Sequence, residues 1–292
     1  MTGKPTERAS SAVEARLPAA ADLDAAAAAP EAKRRVRGPH GTKFVAAYAV
    51  LALALVGAAA GLAFLLQRPS AAPEPPWSAW TPGSVAQMDR AAEIAVQVST
   101  RYRLPSGHQL VGARALPMIV QDIPVDAIAV EEPTATPDQQ DISFVPAKGS
   151  LEYVLCGLGP SCTIAEGQSS AERGILVNRE ALELALTTFK YVQGIDSVVI
   201  LRPPRKATAK EQQADVPVYA LLFRHADLQS ELDRPLRATL PETGRLRPGS
   251  IGQAEAGTID ALTAPRQFLF DSYQQGPDGR LYMILKHPSL GK

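Results

Sequence analysis

Residues 178–201 read NREALELALTTFKYVQGIDSVVIL, and their pattern sets the fold class. Asn178 has the side chain of an N-cap, and Glu180 falls in the first turn, where a carboxylate favours the helix dipole. Leu182, Ala185, Leu186 and Phe189 recur at helical spacing on one face, while Arg179, Glu183 and Lys190 fall away from it. Gly194 suits a C-terminal stop. The run from Asp196 to Leu201 is rich in β-branched residues and is ended by Pro203 and Pro204. A helix feeding a buried strand is half of a layer of helices on a sheet.

The neighbouring segments extend that unit. Downstream, residues 205–215 are charged and read as a loop, and Val216 to Phe223 is a second apolar strand. Ala226 to Asp233 reads as a short helix and 241–256 as loop. Gln267 to Tyr273 and Arg280 to Lys286 flank Gly276-Pro277-Asp278-Gly279, a turn between antiparallel strands. Upstream, Ser150 to Leu155 is a strand entering a Gly-Leu-Gly-Pro turn. Residues 108–147 are short extended segments broken by five prolines, with Glu131, Glu132, Asp138 and Asp141 around an exposed loop. Ser84 and Gln87 have the spacing of a capping box. Met88, Ala91, Ala92, Ala95 and Val98 then predict a helix over 85–101, stopped before Pro105. Residues 84–292 are thus expected to form an α+β domain with a core of its own.

Ahead of that domain, Phe44 to Leu66 reads FVAAYAVLALALVGAAAGLAFLL, 23 residues without a charge. A helix rising about 1.5 Å per residue needs about 20 apolar residues to cross a bilayer core. Lys33, Arg34, Arg35, Arg37 and Lys43 precede it, so the N-terminus is expected in the cytoplasm and the domain outside it. The apolar run is longer than that of a cleaved signal peptide. Residues 1–43 hold twelve alanines and no aromatic side chain, a composition expected to stay disordered. Residues 67–83 hold five prolines and read as an extended linker. Trp77 and Trp80 in it suit either the membrane interface or the folded domain. Inside the span, Gly57 and Gly61 form a GxxxG pair, the spacing of a helix-dimer contact, although an alanine-rich span yields such spacings by composition alone. The expected fold class is therefore an α+β extracytoplasmic domain with one N-terminal transmembrane helix and a disordered N-terminal tail.

Thirty basic and thirty acidic side chains balance, which argues against a general nucleic-acid binder. Abundant alanine and proline, with arginine above lysine, point to a high-GC bacterial genome. The two cysteines, Cys156 and Cys162, fall on the exported side, where an oxidising compartment favours a disulfide. A redox pair normally has CxxC spacing at a helix start, which differs from this one. His108, His225 and His287 lack zinc-ligand spacing. Gly157-x-Gly159 has part of a dinucleotide fingerprint, but Pro160 intervenes and Cys162 takes the third glycine position. His225 with Asp227, and Glu180 with Glu183, are the local pairs that acid–base chemistry would use. They read more simply as a strand end and an exposed helix face. No cofactor or metal is expected. The expected role is a binding or assembly module at the cell envelope, anchored in the lipid bilayer, with an envelope protein partner and a homodimer contact through the span. A membrane-anchored envelope hydrolase or a sensor is the alternative.

The basic flank makes a direct prediction. A reporter active only outside the cytoplasm should give signal when fused after residue 83 and none when fused at residue 1. Signal from residue 1 alone would reverse the orientation.

Overall fold

The computed structural model describes residues 41–66, 76–133, 140–213, 216–241 and 244–290. The expectations for the tail up to residue 40, for 67–75 of the linker and for Asp138 lie outside them. Two compact units divide at Ala72 and Pro73. The first holds helix α1 (Gly41–Leu66), whose Phe44–Ala63 stretch is long and apolar enough to cross a membrane.

The second unit is α+β with one mixed nine-stranded sheet. In chain order it contains α2 (Gln87–Ser99), β1 (Gly112–Leu116), β2 (Ile119–Val120), β3 (Ile123–Pro133), β4 (Gln140–Pro146) and β5 (Ser150–Cys156). There follow α3 (Ala171–Tyr191), β6 (Ser197–Leu201), β7 (Val218–Arg224), α4 (Gln229–Leu232), α5 (Leu236–Thr239), α6 (Gln253–Thr263), β8 (Gln267–Gln275) and β9 (Leu281–Lys286). The strand order is β1-β5-β6-β7-β8-β9-β3-β2, and β4 pairs with β3. β5 and β6 are parallel, as the intervening α3 crossover requires. β8 and β9 form the antiparallel pair expected around Gly276–Gly279.

One face of β5, β6 and β7 presents Leu151, Tyr153, Leu155, Val198, Ile200, Leu221 and Phe223 to the helices. Ala91, Ile94, Ala95 and Val98 of α2 and the buried side of α3 complete that core. The alternate residues Val199, Ala220 and Leu222 face a second core made with Ile128, Val130, Phe268, Met283 and Leu285. Adjacent residues entering opposite cores is the period of two that a strand imposes. The sheet curls around this second core. Tyr273 on β8 donates to the Glu152 carboxylate on β5 at 2.8 Å, although β6 and β7 lie between those strands in the sheet. A register shift between Phe270 and Ser272 lets β8 bend there.

Four expectations are corrected. The capping box does not form. Ala86 is the N-cap of α2 without a side-chain bond, and Glu93 reaches back to the Gly83 and Ser84 N–H groups at 2.9 Å. The helix expected to begin at Asn178 begins at Ala171. Ser170 caps it, accepting from Arg173 N–H at 3.3 Å, and Asn178 sits mid-helix, donating to Thr263 at 3.2 Å. The 241–256 segment read as loop gives way to α6 at Gln253.

The largest correction concerns the face of α3 expected to be exposed. Arg179 and Glu180 are 0% exposed and Glu183 is 3%. α2, α4 and α6 pack around α3, so its polar stripe is covered as well as its apolar one. Arg179 donates to Glu255 at 2.6 Å, to Glu183 at 3.2 Å, to the Tyr102 hydroxyl at 2.7 Å and to the Pro241 carbonyl at 2.8 Å. Glu183 also accepts from Tyr102 at 2.6 Å and from Arg101 at 2.5 Å. Glu180 is different. Among the described residues neither of its carboxylate oxygens has a hydrogen-bond partner. Burial first, and the adjacent Glu183 charge second, hold its carboxyl well above the usual carboxylate range.

These two carboxylates should respond oppositely to neutralisation. The folded chain keeps a proton on Glu180 that the unfolded chain releases above about pH 4.3. Stability therefore falls as pH rises from there, until the folded-state carboxyl also ionises. Glu180→Gln should raise the urea midpoint at pH 7 and flatten its decline from pH 5 to 7. Glu183→Gln removes the charge that pairs with Arg101 and the buried Arg179 and should cost about 3 kcal/mol. Loss of stability in both variants at pH 7 would show that Glu180 is ionised and paired.

Candidate functional site

The site grows from the end of β5. Cys156 is joined to Cys162, as the export reading expects. The bridge closes a tight loop in which Gly157 N–H donates to the Cys162 carbonyl and Gly159 N–H to the Thr163 carbonyl, each at 2.8 Å. A Cβ at Gly157 would lie 2.2 Å from the Thr163 carbonyl oxygen, so only glycine fits. The chain leaving this loop, from Ile164 to Ser170, forms one wall of a cleft of about 550 Å³. That volume falls within the roughly 300–1,000 Å³ of small-molecule sites.

The amino end of α3 supplies the second wall, with Arg173, Gly174 and Val177. The third is the chain leaving β6, from Arg202 to Thr208, with Pro217 and Tyr219 beside it at the start of β7. Four cationic side chains line the cleft, Arg173, Arg202, Arg205 and Lys206, and among the described residues no carboxylate does. Gly167 has φ of +71°, and a Cβ there would lie 2.6 Å from an Arg173 Nη atom, so this glycine leaves the guanidinium its place.

The four cations are held differently. Arg205 makes a two-pronged pair with Glu211 at 2.6 and 2.8 Å. That pairing, with the Thr208 N–H and hydroxyl, holds the Glu211 carboxyl far below the usual range. Thr208 and Gln213 close the same loop, since Gln213 accepts from Ala207 N–H at 2.8 Å and donates to the Arg205 carbonyl at 2.9 Å. Lys206 donates to the Ala165 carbonyl at 3.0 Å, joining two walls of the cleft. Arg202 donates one Nη to Gln267 at 3.0 Å, while its buried Nε has no partner. Burial pushes the Arg202 guanidinium down. Arg173, Arg202 and Lys206 have no ion pair among the described residues.

The other residues singled out in the sequence lie elsewhere. Gly57 and Gly61 share a face of α1, and a Cβ on either would meet nothing within 4 Å. His225 packs edge-on against Phe189 with centroids 5.3 Å apart, while Asp227 lies 3.6 Å from Arg266. His108 meets Glu166 at 2.5 Å, and His287 meets Ser289. Glu180 and Glu183 belong to the buried cluster on α3. Trp77 packs on the domain, with its ring 5.7 Å from that of Tyr191 and its carbonyl accepting from Leu236 N–H at 2.7 Å. The cleft cations escaped the sequence reading because 205–215 looked like an ordinary solvated loop. Arg202-Pro203-Pro204-Arg205-Lys206 directly after a buried strand is the signal that pointed to them. Comparison with family models, curated proteins and solved structures gives no match, so the site rests on its own residues.

The disulfide braces a cleft wall, which gives a local prediction. A Cys156→Ser/Cys162→Ser pair removes a loop closure of about 2 kcal/mol. Thermal unfolding of the full chain should move down by roughly 4–8 °C. Amide exchange should quicken over 157–168 before it changes in α2. An unchanged melting point with unchanged exchange at Gly157 and Gly159 would remove the bracing role.

Proposed function

We propose that this chain is a single-span membrane protein with a cytoplasmic N-terminus, whose C-terminal domain is a binding module at the cell envelope. The observation that carries the reading is the cleft between the Ile164–Ser170 segment, the start of α3 and the Arg202–Thr208 segment. It has the size of a ligand site and concentrates cations in a chain whose formal charges cancel. Several side chains of its rim are tied down by hydrogen bonds within the domain, which lowers the ordering cost of binding.

The apolar Phe44–Ala63 helix and the basic residues before it support the anchored placement. The Cys156–Cys162 bridge supports an oxidising compartment. A domain tethered to a membrane meets partners in the same envelope at raised effective concentration, so modest intrinsic affinity suffices. Gly57 and Gly61 would add a lateral contact between two copies within the bilayer.

A photo-reactive amino acid placed at Ala207, on the cleft wall, tests this reading in intact cells. It should give a discrete envelope adduct that Arg173→Glu diminishes. The same probe at Val85, which is 90% exposed on the domain surface, should not give that adduct. Equal labelling from both positions, unaffected by Arg173→Glu, would refute a binding role for the cleft.

A further inference from the structure

We infer that the cleft takes a phosphate ester, whose phosphate is held by Arg173, Arg202 and Lys206 and whose uncharged body lies on Pro204 and Tyr219. The inference rests on the reading of the cleft as a binding surface and names the chemistry of its ligand.

The first argument is charge. Three cations reach the cleft from two segments about 30 residues apart in sequence, and none has an ion pair among the described residues. Like charges gathered in one cleft repel one another, and Glu166, a carboxylate near enough to feel the Arg173 charge, is bonded to His108. That repulsion is stronger in a partly desolvated cleft than in water. A bound anion reverses the sign of each of those interactions. One carboxylate offers two oxygens and a single charge, which one arginine satisfies. A phosphate monoester offers three terminal oxygens and up to two charges, which matches several cations at once.

The second argument is the state of Arg202. Its Nε is buried and without a partner, and its one side-chain bond goes to a neutral amide, Gln267. A guanidinium so placed has lost part of its water and has no charge partner among the described residues, and an anion on its cleft-facing side would supply one. In the same wall Arg205 shows the satisfied alternative, paired through both Nη atoms with Glu211. The contrast between two arginines three residues apart marks Arg202 as kept for something outside the chain. The third argument is the rest of the lining. Ser169 and Ser170 add hydroxyls, and Ile164, Val177, Pro203, Pro204, Pro217 and Tyr219 make the remainder apolar or ring-like. An anion alone would leave that surface unused in a cleft of about 550 Å³.

The test uses the full chain in nanodiscs of zwitterionic lipid, followed by amide exchange and melting temperature. Glycerol 3-phosphate should slow exchange over 167–174 and 202–208 and raise the melting point. Inorganic phosphate should do so at higher concentration, and acetate at equal ionic strength should not. Arg173→Gln and Lys206→Gln, both at the cleft rim, should each raise the half-saturating concentration about tenfold while the ligand-free melting point stays put. Arg202→Gln should do the same. If it unfolds, the two rim variants decide the matter. Protection only when the nanodisc contains phosphatidic acid, a phosphate monoester, would also support the inference and would make a lipid headgroup the source of the phosphate. Binding that ignores Arg173→Gln and Lys206→Gln, or equal protection by acetate, would overturn it. If no phosphate probe protects the cleft while the Ala207 adduct persists, the phosphate assignment fails and the binding role stands. If both are absent, both fail.

Discussion

The α+β domain depends on burying a helix that carries charge. α3 passes between the sheet and the other helices with Arg179, Glu180 and Glu183 out of solvent. Desolvating such groups opposes folding by several kcal/mol per ion unless partners replace water. Arg179 and Glu183 obtain those partners from three separated places in the chain: Arg101 with Tyr102, Pro241, and Glu255. The network thus joins the segment after α2, the loop before α6 and α6 itself to one helix. A hydrophobic core tolerates sliding more readily than a set of directional bonds to a single guanidinium. Glu180 has no such partners and stands as the unsatisfied member of the cluster.

The position of α3 also makes the cleft. Its carboxyl-terminal part is held between helices, and its amino end emerges at Ser170 beside the loop braced by Cys156 and Cys162. The strand that follows α3, β6, runs parallel to β5 and ends at Leu201, directly before Arg202. A parallel crossover carries the chain back to the opposite end of the sheet before the next strand begins, so both strands run the same way. The disulfide loop follows β5 and the arginine-rich segment follows β6, so both lie beyond the same ends of adjacent parallel strands. That is a recurrent place for ligands in sheets with crossover helices, because the diverging loops leave a crevice.

Rigidity is graded around this crevice. The 157–163 loop is held by a covalent bridge and by backbone bonds at 2.8 Å. The 205–213 loop is held by Glu211 and Gln213 acting on their own segment. Lys206 links the two through Ala165. Arg173 is placed by the helix and by the space Gly167 leaves it. A site built this way presents its cations with little left to order, which favours recognition by electrostatic fit over recognition by closure.

Local features of the chain were legible from residue order. The apolar run from Phe44 is long and unbroken, and that property needs no neighbours to be read. The strands at 150–156, 197–201, 218–224, 267–275 and 281–286 followed from β-branched runs and turn residues, and the disulfide from two isolated cysteines six positions apart. Helix starts were less legible, because Asn178 and Ser84 have capping side chains that here are used otherwise. What only the tertiary structure decided was which polar residues face water. Periodicity reports that one face of a helix is covered. It cannot report that further helices cover the other face, and so Glu180 and Glu183 looked exposed. The cleft was hidden for the same reason. Arg173 and Arg202 are separated by a helix and a strand, and only the parallel crossover brings their charges to one place.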